Sequence, residues 1–224
     1  MKPRIKTDVA LLIGLVILTM PFFFLRTPFS SNVFWDNVFD VIGIILILKG
    51  NLIRMAARSH KKKNSRQGVA LVMTGLYSVV RNPMYLGTFL VGSGFVLLLW
   101  PFWILPVFAA AFYLRFNAQM RREEEFLKSN FGQIYEDYCQ KTPRLFPSLQ
   151  NIFRLESKQF LNLKEALHTK EKWSLLAWLA LAFILEIIQE KLVFQSSIIF
   201  DVLMVFLAAI ILYGILLRIK YRAG

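Results

Sequence analysis

The sequence predicts an all-α fold, a polytopic membrane helix bundle of about six transmembrane helices with a cytoplasmic amphipathic helix after the fourth. Three observations lead there. The 224-residue chain is 56% hydrophobic and 15% aromatic, too apolar for an ordinary soluble domain. Its apolar residues gather into runs approaching the roughly 20 residues that a helix needs to cross a bilayer. Its positive charges fall almost entirely in alternate connections.

The first run, 9–25, follows Lys2, Arg4 and Lys6. The stretch "TMPFFFLRTPF" offers no small-residue cleavage site, so a retained span is expected rather than a cleaved signal peptide. A short outer loop, "RTPFSSNV", leads to the second run, 34–53, and these two spans make an N-terminal unit, 1–58. Residues 59–83 read as a basic cytoplasmic connection. Runs 84–99 and 103–119 are short and joined by "WPFW", which predicts a tight hairpin with aromatic residues and Pro101 at the interface. In 120–147, Phe126, Leu127, Phe131, Ile134, Tyr135 and Tyr138 recur at three- and four-residue steps, the pattern of an amphipathic helix. Gly132 interrupts it, and Pro143 and Pro147 close it. Residues 59–147 therefore form the core, 148–172 a charged linker, and 173–224 a unit with two further spans at 173–189 and 197–217.

A net charge of +13 raises the question of nucleic acid, and its distribution answers it. Arg54, Arg58, Lys61, Lys62, Lys63, Arg66 and Arg81 lie between spans two and three, another basic set runs from Arg121 to Lys172, and Arg218, Lys220 and Arg222 follow the last span. The opposite loops carry only Arg26 and Lys191. An even number of spans with this asymmetry places both termini in the cytoplasm, in the cell (inner) membrane, and the charge reads as topology and attraction to anionic lipid. The single cysteine, Cys139, excludes a disulfide framework, and His60 and His168 are too far apart in sequence to suggest a metal centre. Lys49, Glu186 and Asp201 fall near the ends of spans, where snorkelling accounts for them.

Chemistry concentrates in two segments. In "TGLYSVVRNPMYLG", Pro83 suits the first turn of a helix, Asn82 its cap, and Gly75 a turn closed to other residues. Gly87, Gly92 and Gly94 present bare backbone, to a packed helix or to a flat ligand, and helix packing is the commoner use. In the second segment, around "RREEEFL", Arg115, Gln119 and Glu123 follow at i, i+4 and i+8, hence on one helical face. That face starts inside the fourth span, where polar groups mark a functional site by default. The two segments join the two ends of one hairpin, so both belong at one membrane surface.

Together, "LVMTGLYSVVRNPMYLG" and "EEEFLKSNFGQIYEDYCQKTPRLFP" resemble the isoprenylcysteine carboxyl methyltransferase and phospholipid methyltransferase superfamily across about residues 69–147. The resemblance implies S-adenosylmethionine as cofactor at the cytoplasmic face and a lipophilic or lipid-borne acceptor entering from the bilayer. Carried over, it assigns the cofactor to Val69, Ala70, Leu71, Val72, Tyr77, Asn82, Pro83, Met84 and Tyr85, with Glu123 completing the pocket. Arg81 is expected either at the cofactor carboxylate or orienting the loop.

The chain departs from the pattern at Asn82, where many members have His, and at Gln119, where the prenylcysteine enzymes carry an Arg. The nearest cation on that face is Arg115, one turn deeper. A neutral amide cannot pair with a free carboxylate as a guanidinium does, so a prenylcysteine carboxylate, a phospholipid amine and a small thiol or phenol all stay open as acceptors. Glu123, Arg115 and Gln119 are the candidate catalytic residues. The alternative is a non-enzymatic transporter or lipid-binding membrane protein on the same scaffold, with Lys49, Glu186 and Asp201 meeting inside the bundle.

Overall fold

The computed structural model describes residues 33–65, 69–147 and 172–189, with scattered positions from 191 to 214. The first span and the 148–171 linker lie outside the described residues, as does most of the last span, including Asp201. Every regular element among the described residues is helical. They are α1 (Val33–Asn64), a 3-10 turn (Gly75–Ser78), α2 (Pro83–Leu99), α3 (Ile104–Phe131), α4 (Gln133–Lys141) and α5 (Lys172–Ile188).

Two glycine pairs set the central packing. Gly43 meets Gly94 and Gly50 meets Gly87, so α1 and α2 run antiparallel with backbones nearly touching. A Cβ added at Gly50 lands 2.5 Å from the Gly87 carbonyl oxygen, and one at Gly87 lands 2.5 Å from that of Gly50. The seven-residue spacing on each helix puts both contacts on one face, two turns apart. Gly87 and Gly94 thus serve helix packing, as small residues do between closely packed helices. Gly92 faces the other way and admits the Phe108 ring of α3.

The "WPFW" corner turns α2 into α3 through bonds from the Ile104 amide to the Pro101 carbonyl and from the Leu105 amide to the Phe102 carbonyl. Aromatic contacts zip the hairpin: Phe89 stacks on Phe108 and meets Phe112 edge-on. The 5.8 Å stack of Phe102 on Phe39 ties the corner to α1. α5 packs on the outside of α1 and α2, with Ala182 fully buried, Trp178 against Phe95, and Gln189 donating to the Leu99 carbonyl.

Two boundaries differ from expectation. α1 does not stop near residue 53 but continues to Asn64, so Arg58 and Lys61 to Lys63 ride on its last turns instead of a loop. α3 does not break at the end of the apolar run; one helix carries the apolar half and the polar half to Phe131. Nothing in 114–131 forbids helix: it contains no proline or glycine, and the amphipathic pattern continues in phase. The break comes at Gly132, with φ 52°, as the sequence indicates.

Among the described residues no helix is both long and apolar enough to cross a membrane. α2 and α5 have 17 residues each. Asp36, Asp40, Lys49 and Arg54 interrupt the apolar run of α1, and α3 turns polar from Arg115 onward. Lys49 is exposed, whereas Glu186 is buried. Snorkelling therefore does not describe Glu186.

Candidate functional site

The segment leading into α2 is pinned at several points. His60, on the last turns of α1, bonds Thr74 Oγ1 through Nε2 at 2.9 Å. Gly75, at φ +62°, passes beneath the imidazole, where a Cβ would lie 3.1 Å from His60 Cε1. The 3-10 turn then buries Leu76 and Tyr77. Tyr138 of α4 donates its hydroxyl to the Tyr77 carbonyl. The Arg81 amide donates to the Pro143 carbonyl at 2.9 Å, and Val79 and Val80 sink into the core beside Phe112, Met120 and Leu145.

Pro83 opens α2 with Asn82 at the cap position, but the Asn82 side chain does not cap. Its Nδ2 donates instead to Glu124 Oε1 at 3.2 Å and to the Arg144 carbonyl at 3.1 Å. One turn on, Tyr85 crosses the hairpin and donates to Glu123 Oε1 at 2.6 Å. Gln119 Nε2 reaches the same oxygen at 3.1 Å. The two ends of the hairpin are thus joined at neighbouring carboxylates, Glu123 by Tyr85 and Glu124 by Asn82.

Between them opens a cavity of about 1350 Å³, walled by α1, the entry segment, α2, α3 and α4. Ala70, Leu71, Val72, Tyr77, Arg81, Asn82, Pro83, Met84 and Tyr85 line one side, and Arg115, Gln119 and Glu123 face them. Val69 does not contribute. The chain bends there, with the Ala70 amide on the Ser65 carbonyl, and leaves Val69 80% exposed on the outside of the turn. Arg115 lies against Phe116, 5.4 Å from its ring centroid, and Phe116 meets Tyr85 edge-on. Thr88, Ala111 and Leu114 extend the lining along the hairpin.

Arg81 is largely committed to protein partners, with Nη1 3.6 Å from Glu124 and donating to Cys139 Sγ. Burial disfavours its charge, yet Glu124 and Cys139 outweigh that, and its pKa ends above the ordinary guanidinium value. Burial, reinforced by the Glu123 carboxylate, raises the Tyr77 phenol. Burial also raises Tyr135 and Tyr138, so all three stay neutral donors at physiological pH.

A family model described as "Phospholipid methyltransferase" matches residues 39–134. The chain is 35% identical over 94 residues to a nickel-cobalt-cadmium resistance protein, NccN, of Alcaligenes xylosoxydans xylosoxydans, covering 42% of this chain and 43% of that one. It is 30% identical over 131 residues to the protein-S-isoprenylcysteine O-methyltransferase of Schizosaccharomyces pombe, covering 55% and 56%. The Xenopus laevis enzyme of the same name is 30% identical over 121 residues, covering 50% and 42%. Over these residues the chain is similar to the isoprenylcysteine carboxyl methyltransferase and phospholipid methyltransferase superfamily. It spans about half the length of the curated relatives it matches. No solved structure matches it.

Several residues have a place at this site that sequence reasoning did not assign. From the sequence Glu124 is one of three adjacent carboxylates and, like Glu123 and Tyr135, a possible acceptor of an amine's proton; which carboxylate meets which partner depends on the rotation of α3. Arg54 reaches the cavity from α1 because the glycine face of that helix leads straight to it, through Gly43, Ile47, Gly50 and Arg54 at three- and four-residue steps. Tyr135 and Tyr138, which their periodicity placed on the apolar face of a helix, also border the cavity. Arg144 lies outside the cavity lining but bonds to residues within it.

Proposed function

We propose that this protein is an integral membrane methyltransferase that uses S-adenosylmethionine and methylates a lipophilic or lipid-borne acceptor. The observation that carries the reading is the cavity itself, closed at one edge by Glu123 with Tyr85 and Gln119 both bonded to Oε1. Its volume exceeds what a nucleoside alone needs, and its lining combines carboxylates with apolar and aromatic walls. The residues present fit the cofactor. Glu123 suits its cationic end, and Leu71, Tyr77 and Tyr85 supply flat apolar surface for adenine.

S-Adenosylmethionine, when bound, supplies an already activated methyl group. The protein's task is then alignment and exclusion of water. Tyr85 and Gln119 hold one oxygen of Glu123 fixed, which leaves Oε2 of the same carboxylate to meet a ligand. An anionic acceptor needs no base. A protonated amine headgroup must first give up a proton to free its lone pair, and Glu123 stands at the cavity wall to take it. The lining that continues along Thr88, Ala111 and Leu114 supports an apolar acceptor tail.

The membrane setting rests on the six apolar runs and the one-sided basic charge, with both termini and the site in the cytoplasm and the protein in the cell (inner) membrane. Purified protein should bind S-adenosylmethionine by calorimetry, with binding greatly weakened in Glu123→Ala. Intact protein without binding would end the reading. Transfer of a labelled methyl group into a membrane extract, followed by identification of the labelled product, would give the acceptor.

A further inference from the structure

Arg144, in the segment that follows α4, lies beyond the residues that match the family model and outside the cavity lining. It nevertheless touches both halves of the site. Its Nε donates to Glu124, 3.0 Å from Oε2 and 3.1 Å from Oε1. Its Nη1 donates to Asn117 Oδ1 at 2.6 Å, and its backbone carbonyl accepts from Asn82 Nδ2 at 3.1 Å. The preceding carbonyl, that of Pro143, accepts from the Arg81 amide.

Asn117 and Glu124 stand seven residues apart on α3, hence on one face, two turns from each other. One guanidinium bonded at both points fixes the rotation of the helix about its own axis as well as its height. Glu123 is displaced from Glu124 by about 100° around that axis. Whatever sets the direction of Glu124 therefore sets that of Glu123, and a modest turn of α3 would carry Glu123 away from the Tyr85 hydroxyl. A planar guanidinium suits this bridge because its donors are fixed relative to one another, which the ammonium of lysine does not offer.

We propose that Arg144 is a positioning residue for the cavity. It locks the rotation of α3 through Asn117 and Glu124 while its carbonyl holds the Asn82 end of α2, and so aims Glu123 at the ligand. The affinity arm of the test rests on the cofactor reading above. The exchange arm does not.

The test compares full-length protein in detergent micelles with Arg144→Ala, Arg144→Lys and Asn117→Ala, with Arg121→Ala on the exposed side as a control. S-Adenosylhomocysteine affinity should fall about tenfold or more in Arg144→Ala, the scale of losing hydrogen bonds to a charged group. Arg144→Lys should restore the thermal midpoint more fully than the affinity. Asn117→Ala removes one arm only and should weaken binding less, without adding to the loss in the double variant. Without ligand, hydrogen exchange in 77–85 and 116–124 should rise in Arg144→Ala. Unchanged exchange there, or affinity that simply tracks the thermal midpoint across the variants, would overturn the proposal. Raised exchange in a protein whose wild type binds no S-adenosylhomocysteine would uphold the clasp and remove the cofactor reading alone.

Discussion

Tyr85 and Glu123, on opposite arms of the α2–α3 hairpin, share a hydrogen bond of 2.6 Å, and that bond closes one edge of the cavity. Tyr85→Phe removes it while keeping the edge contact with Phe116. The bond is partly exposed, so the folded state should lose little. Glu123 is left with Gln119 as its only orienting donor of the two, and ligand affinity should fall by roughly three- to tenfold, the low end for a bond to a charged group. Calorimetry with S-adenosylhomocysteine beside a thermal melt separates the two effects.

Gly50 and Gly87 hold the α1–α2 contact at the end of the pair nearer the cavity. An added methyl at either meets the opposing carbonyl at 2.5 Å, so Gly50→Ala should destabilise by about 1–3 kcal/mol through overpacking. Gly132→Ala should cost less, because nothing lies within 4 Å of the added atom and only its φ of 52° resists. Thermal midpoints of the two variants should fall in that order. The reverse order would show that the helices part easily there.

The three buried phenols make stability sensitive to alkali. Burial is the largest cause at Tyr77, Tyr135 and Tyr138, and each is raised above the ordinary tyrosine value. A raised folded pKa means that the folded state holds the proton after the unfolded chain has released it. Their contribution is therefore complete below about pH 10, the unfolded value, and is lost as pH climbs above it. Melting points between pH 8 and 12 should decline above pH 10, and Tyr77→Phe should decline less steeply. A flat profile would mean that these phenols ionise as freely as exposed ones.

His60 fastens the entry segment to α1 through Thr74. His60→Ala should leave the helices intact and loosen the turn, costing about 0.5–1.5 kcal/mol. Hydrogen exchange should rise at residues 74–78 and not in α2. Uniform protection across both would show that the Tyr138 bond to the Tyr77 carbonyl holds the turn without help.

The hairpin, its corner and the break at Gly132 were legible because each is written locally, in apolar periodicity, in "WPFW" and in a lone glycine. The cap position of Asn82 and the first-turn place of Pro83 were legible for the same reason. The destination of the Asn82 side chain was not, because a free cap and a partner 42 residues away compete, and only the fold brings Glu124 within reach. The cavity face of α3 followed from the spacing of Arg115, Gln119 and Glu123. Arg144 was legible as part of the second family-like segment but its contacts were not, since its partners come together only when α3, α4 and the entry segment assemble. The length of α1 was underestimated because its charged last turns, Arg54 to Asn64, read as the end of a span and a basic connection. The stretch after Arg121 was legible as helix but not as the continuation of the span before it.

The backbone contact between α1 and α2 leaves the spacing of those two walls no adjustable part. Neither helix can slide or retreat by trimming a side chain, because none stands between them at Gly43, Gly50, Gly87 and Gly94. The opposite wall is built from ordinary side chains at Ala111, Leu114 and Arg115. Diversification of the pocket within such a scaffold therefore runs through the side chains that line it and not through the spacing of α1 and α2. A swap of Ala111, Leu114 and Arg115, with Thr88 across from them, is where a change of guest should begin.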